Sequence, residues 1–104
     1  MSNITISSLQ NYIKEQDYRP ELKERYFMKL AEEVGELSAA MLKNPKPATR
    51  ESFKGSVEEE IYDVIYYALA IANCYEIEVE KWIYLKEKLS DQKYNKNHAD
   101  SLLG

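Results

Sequence analysis

Glycine and proline are scarce, three of each in 104 residues. An all-β domain of this length needs many tight turns rich in both, so the shortage excludes that class and implies few, long helices. The one cysteine, Cys74, cannot form an internal disulfide, and the N-terminal segment has no basic stretch leading into an apolar run and a small-residue cleavage site. A reducing, cytoplasmic setting is expected. An apolar run of the roughly 20 residues that span a bilayer is also missing. The most apolar stretch, Ile61 to Ala72, is shorter and carries Asp63 inside it, so no membrane partner is expected. Basic residues are outnumbered 14 to 18, for a net charge of -4, and no Lys/Arg-rich block occurs. Such a chain lacks the electrostatic footprint of a binder of nucleic acid polymers, and a phosphate ligand would need a local cation.

Further absences narrow the chemistry. The single histidine, His98, lies in the tail, which disfavours di-iron helical bundles built on Glu-x-x-His pairs. No Gly-rich phosphate loop is present, and no Ser/His/Asp set or Cys with a basic neighbour suggests covalent catalysis.

What is there reads as one domain over residues 1–104, since a chain of this length holds a single core. Ser7 with Gln10 resembles a capping box, and Leu9 and Ile13 continue a stripe, predicting a first helix over 7–16. Pro20 suits the first turn of a second, after which Leu22, Tyr26, Leu30, Val34, Leu37 and Met41 recur at intervals of three or four. Pro45 and Pro47 stop it near Asn44, and 44–55 reads as a connecting segment, the expected mobile region. Ser56 with Glu59 is a second capping box, opening a third helix through Val57, Ile61, Val64, Ile65, Ala68, Leu69 and Ala72. Val79, Trp82, Ile83 and Leu89 predict a fourth over 78–93, with a weakly structured tail after Asn95. The fold class is therefore an all-α antiparallel bundle of about four helices. At this size association into a homo-oligomer is an expected route to stability.

The acidic residues are unevenly placed. Glu33 and Glu36 are three apart on the second helix, where their carboxylates can converge. Two readings fit that pair: a solvated acidic face, or an inward-facing site. Gly35 between them costs about 1 kcal/mol relative to alanine in a helix and suggests close approach of another group. On the third helix Asp63 sits in an otherwise apolar and aromatic stretch, with Glu60 one turn earlier on the same side. A carboxylate so placed needs a cation, a hydrogen-bond network or a metal, or it stays protonated. If the two helices pack antiparallel, the pairs form a four-carboxylate pocket. Oxygen ligands without His or Cys select a hard cation such as Mg²⁺ or Mn²⁺. Metal-assisted hydrolysis of a phosphate ester or anhydride is the natural use of such a pocket.

The run Glu32-Glu33-Val34-Gly35-Glu36, followed after 23 residues by Glu60-Ile61-Tyr62-Asp63, resembles the Glu-Glu-x-x-Glu and Glu-x-x-Asp pair of the MazG-like nucleotide pyrophosphohydrolases. The likeness extends to the first helix, Lys29-Leu30-Ala31, the apolar stretch after Asp63 and Lys93-Tyr94, over roughly residues 8 to 95. It implies an all-α bundle assembling as a dimer or a dimer of dimers. It also implies Mg²⁺-dependent cleavage of nucleoside triphosphates between the α and β phosphates, giving a monophosphate and pyrophosphate. Carried over by position, the metal ligands are Glu33, Glu36, Glu60 and Asp63, and the catalytic carboxylates are Glu32 and Glu33, with Glu32 orienting water from the outer shell or lying plainly on the surface. Tyr67, one turn after Asp63, would contact sugar or base, or else serve as a core tyrosine. Lys86, Lys93 and Tyr94 would contact the triphosphate, from the same chain or from a neighbouring subunit, although lysines near a helix C-terminus also have a structural reason to be there. Trp82 is assigned to packing and Cys74 to an inert core thiol. The family often reads the base with a tryptophan near the first helix or the loop before the third; here Tyr12, Tyr18 or Phe53 would stand in. Two other functions use an acidic face: hydrolysis of other pyrophosphate-containing compounds, and a non-catalytic helical module that binds a protein partner.

Overall fold

The computed structural model describes residues 3–104 and contains four α-helices: α1 (Ile6–Gln16), α2 (Lys23–Met41), α3 (Val57–Cys74) and α4 (Val79–Lys93). Short 3-10 turns at Pro20–Leu22 and Ala99–Leu103 complete the secondary structure, and no strand occurs among the described residues. The fold is all-α, as the turn-poor composition predicts. None of its helices is long and apolar enough to cross a membrane.

Helices α1 and α3 start at residues whose side chains satisfy their free amides. The cap of α1 is Thr5, not Ser7: Thr5 Oγ1 accepts from the Ser8 N–H at 2.9 Å, and Ser8 Oγ accepts from the Thr5 N–H at 2.9 Å. Thr5 is the last extended residue, so the box closes there, and the Ser7 N–H goes instead to Glu80 Oε2 at 2.6 Å, tying α1 to α4. Ser56 caps α3 as predicted, its Oγ accepting from the Glu59 N–H at 3.1 Å. The Glu59 carboxylate reaches back one residue further, to the Gly55 N–H at 2.7 Å. Pro20 opens a 3-10 turn, and α2 proper begins at Lys23.

Helices α2 and α3 form the main packed pair, running antiparallel: Ala40 and Val57 line one cavity at one end, and Lys29 and Tyr67 line another further along. Ile13, Tyr26, Leu69 and Ala70 make the buried core where α1 crosses this pair. Beside it is a polar knot. Gln10 Nε2 donates to Asn73 Oδ1 (3.2 Å) and to the Ile77 carbonyl (2.9 Å), Gln10 Oε1 accepts from the Val79 N–H (3.0 Å), and Asn73 Nδ2 donates to the Gln10 carbonyl (3.0 Å). Both side chains are buried, and together they hold α1, the end of α3 and the start of α4 in register.

The buried face of α2 is rotated from the one read in the sequence. Tyr26, Glu33 and Ala40 are buried at heptad spacing with Leu30 and Leu37 half-buried, while Val34 and Met41 are 50% and 60% exposed. The rotation carries Glu33 inward. Gly35 has nothing within 4 Å of where a Cβ would stand, so the close approach expected there does not occur within this chain. Trp82, assigned to packing, is 51% exposed. The segment after Asn95 carries more structure than its composition suggests. Buried Asp91 accepts from the His98 N–H (2.9 Å) and the Ala99 N–H (2.6 Å), docking the final turn on α4.

Candidate metal centre

The α2–α3 pair brings the five singled-out carboxylates into two overlapping groups. One oxygen from each of Glu33, Glu60 and Asp63 lies within 4.8 Å of the others, and the same holds for Glu32, Glu33 and Glu36. Glu33 belongs to both groups and is their hub. Its position follows from α2 presenting Leu30, Glu33 and Leu37 to α3; Glu60 and Asp63 answer from the first two turns of α3. Glu33 and Glu60 are buried, Asp63 is half-buried, and Glu32 and Glu36 stand exposed at the mouth.

Among the described residues no cation pairs with the inner two. Glu33 Oε2 and Glu60 Oε2 are buried without a hydrogen-bond partner. Burial, the adjoining Glu60 carboxyl and the charges of Glu36 and Asp63 together push Glu33 up to about 8. Burial raises Glu60 as well, with Glu36 and Asp63 adding to it. Asp63 is raised by burial and by Glu59, against which Lys54 acts in the opposite sense. Orphaned carboxylate oxygens converging from two rigid helices are a costly arrangement without a cation. The donor set is all oxygen, which fits a hard divalent cation and not a thiophilic one.

The remaining sequence-predicted residues divide by helix. Tyr67 lies beside the cluster: half-buried, raised by burial, with Lys29, Glu33 and Asp63 acting on its hydroxyl. Lys86, Lys93 and Tyr94 are on α4, which packs chiefly on α1 and the C-terminal turn, so within one chain they are not brought to the carboxylates. Two cations near the site were not singled out in the sequence. Lys29 precedes Glu33 by one helical turn, pairs with Glu32 at 3.6 Å and shares a cavity with Tyr67, a placement its spacing signals. Lys54 acts on Asp63 from the connecting segment, where no periodicity could place it. Cys74 is free and half-buried, and burial pushes its thiol up, as suits an unreactive group.

No known family profile and no curated protein matches this chain. Among solved structures it is similar to iMazG from Vibrio DAT 722. The crystal structure of the Ntag form is 50% identical over 89% of this chain and 100% of its own, with a TM-score of 0.85. A Ctag form is 49% identical over 85% of this chain and 99% of its own, with a TM-score of 0.81.

Proposed function

The chain belongs to the MazG-like family and has its nucleotide pyrophosphohydrolase fold, and from that premise we propose that it is a divalent-cation-dependent nucleoside triphosphate pyrophosphohydrolase, cleaving between the α and β phosphates to release a monophosphate and pyrophosphate. The observation that carries this reading is the pair of buried, partnerless oxygens of Glu33 and Glu60, flanked by Asp63 and Glu36 on facing helices. These four residues hold the cation, Mg²⁺ first and Mn²⁺ second. When bound, it offsets phosphate charge and supplies Lewis-acid polarisation in a site that otherwise repels the substrate.

The chain's own residues supply positioning. Glu33 faces the inner pocket and Glu32 its mouth, so the two carboxylates orient the attacking water, with Glu32 taking its proton. The water oxygen bonds to the α phosphorus, the bond from that phosphorus to the α–β bridging oxygen breaks, and the bridging oxygen leaves with pyrophosphate. Tyr67 contacts the nucleotide from the next turn of α3. Lys86, Lys93 and Tyr94 take part only as contributions from a second copy.

A second copy is itself part of the proposal, and the surface supports it. The chain exposes 8360 Å² at 12.2 kDa, where a compact monomer of that mass shows about 6,100 Å². Its radius of gyration is 16.2 Å against about 13 Å for a compact chain of this length. Phe27, Val34 and Met41 repeat every seven residues on the outer face of α2, with Gly35 open beside them. That is a seam suited to another helix. We propose a cytoplasmic homo-oligomer, a dimer or tetramer.

The test is to incubate the protein with each common NTP and dNTP plus Mg²⁺ and identify the products. Monophosphate with pyrophosphate is expected, and orthophosphate released stepwise would overturn the assignment. Asp63→Ala and Glu36→Ala should abolish turnover with helicity retained. A protein that neither turns over nucleotides nor gains thermal stability with millimolar Mg²⁺ or Mn²⁺ would instead be a helical interaction module.

A further inference from the structure

Away from the metal centre, α1 and the linker between α3 and α4 enclose a cavity of about 340 Å³. Asn11 and Lys14 stand on its α1 wall, Glu76 and Glu78 on its linker wall, and the buried amides of Gln10 and Asn73 line it between them. Asn73 follows Asp63 by ten residues on α3, about 15 Å along the axis, so the two places are separate. The volume falls within the range of small-molecule sites, about 300–1,000 Å³.

The walls carry opposite charges that do not meet. Among the described residues the ion pairs are Lys29–Glu32 and Lys88–Asp100, so Lys14, Glu76 and Glu78 face one cavity without closing on one another. The Lys14 ammonium lies over the Tyr18 ring, 4.7 Å from its centre. Backbone bonds hold the opposite wall in place, the Glu76 N–H donating to the Asn73 carbonyl at 3.1 Å and the Ile77 N–H to the Ala72 carbonyl at 2.9 Å. Glu76 keeps φ +56° there, a left-handed conformation that glycine adopts without strain, so this carboxylate is carried at a cost to stability. The amides between the walls have bonding capacity to spare. Asn73, 8% exposed, donates one amide hydrogen to the Gln10 carbonyl at 3.0 Å, and its second has no acceptor among the described residues. Gln10 Oε1 accepts from the Val79 N–H alone and has a lone pair left. An unmet hydrogen on a buried amide is unfavourable until a water or a ligand takes it.

We infer that this cavity is a second binding site, one that takes a free amino acid whose side chain ends in an amine or guanidine group. The occupant's carboxylate fits Lys14 and the spare Asn73 hydrogen, and its two cationic groups fit Glu76 and Glu78. Charge decides the class. One lysine against two glutamates leaves the lining at -1, and one carboxylate with two cations carries +1, which brings the whole to neutrality. A simple zwitterion leaves one glutamate unmet, a diamine leaves Lys14 without an anion, and an acidic amino acid adds repulsion. Charge-assisted hydrogen bonds at both ends give the site its selectivity. The occupant joins α1 to the linker across the Gln10–Asn73 knot, and the inference does not depend on the hydrolase reading.

Calorimetric titration of L-lysine and L-arginine into the metal-free protein tests this, with glycine, L-glutamate and cadaverine for comparison. Lysine or arginine should bind and raise the melting temperature. The comparison compounds should bind about tenfold more weakly or worse, the effect of one lost charged hydrogen bond. Lys14→Gln, Glu76→Gly and Glu78→Gln should each weaken lysine by about the same factor. The rise in melting temperature with Mn²⁺ should match the parent's in every variant, which shows that each folds and keeps the carboxylate site. No binding of lysine or arginine at millimolar concentration would overturn the inference. Cadaverine binding as tightly as lysine would also overturn it, marking a plain acidic patch. Lysine affinity within about twofold of the parent in all three variants would place the ligand elsewhere and overturn it as well.

Discussion

Replacing Glu33 with glutamine should stabilise the metal-free protein while removing its response to metal. In the unfolded chain this carboxyl titrates at its ordinary 4.5, and in the folded protein at about 8, because burial and the neighbouring acids penalise the charge. Between those values the folded state binds the extra proton, so stability is greatest below pH 4.5 and falls as pH rises through the window. From pH 4.5 to 7, at about 1.4 kcal/mol per unit, the loss is about 3 kcal/mol. Glutamine carries no charge to desolvate and its amide can donate to Glu60. At pH 7 without metal Glu33→Gln should therefore melt roughly 10 °C or more above the parent, using about 4–8 °C per kcal/mol for a domain of this size. The assay is a set of thermal melts in chelator at pH 5, 7 and 8.5, then with saturating Mg²⁺ or Mn²⁺. The parent should lose stability with pH more steeply than the variant, which keeps only the contributions of the raised Glu60 and Asp63 carboxyls, so that the two converge at pH 5. Metal at a hundred times its Kd should restore about 2.7 kcal/mol to the parent and far less to the variant. A variant that melts below the parent at pH 7 without metal, or that keeps the parent's metal response, would refute the reasoning.

Three other outcomes follow from the packing. Gln10→Ala removes the side chain that bonds Asn73, Ile77 and Val79 in the buried knot, and should cost about 2–4 kcal/mol in urea melts, since it leaves buried partners unmet; a cost under 1 kcal/mol would show the knot to be dispensable. Glu76 follows the end of α3 with φ +56°, a left-handed conformation that glycine adopts without strain, so Glu76→Gly should raise stability by about 1 kcal/mol by chemical denaturation, and a loss would contradict it. The Glu80 carboxylate is held below its ordinary range by the Ser7 N–H. Its tie between α4 and α1 is therefore present above its unfolded-state pKa and lost as pH falls through the lower folded value, and the protection of the Ser7 amide against hydrogen exchange, relative to its free rate at each pH, should fall in acid in the parent but not in Glu80→Gln.

The sequence alone carried much of the local structure. The scarcity of glycine and proline, the 3–4 periodicities and the Ser56 cap are local signals. They identified four helices, with α4 starting one residue from its expected place, because helix formation and termination depend on residues within a turn or two. The spacing of Glu33 with Glu36 and of Glu60 with Asp63 was legible for the same reason, and it sufficed to point to a metal site and a family.

Which face of each helix turns inward is not local. Val34 and Met41 belong to the same period as Leu30 and Leu37, and only the approach of α3 decides that Glu33 is buried in their stead. The Gln10–Asn73 knot, the Asp91 anchor and the gathering of Arg19, Arg25 and Lys29 beside Tyr67 join residues from different elements, which no spacing rule connects. Burial is what turned these acids from surface charge into a candidate site. A carboxylate acquires a shifted proton affinity and an unmet oxygen only when water is displaced from around it, and that displacement is the work of the packed α2–α3 pair.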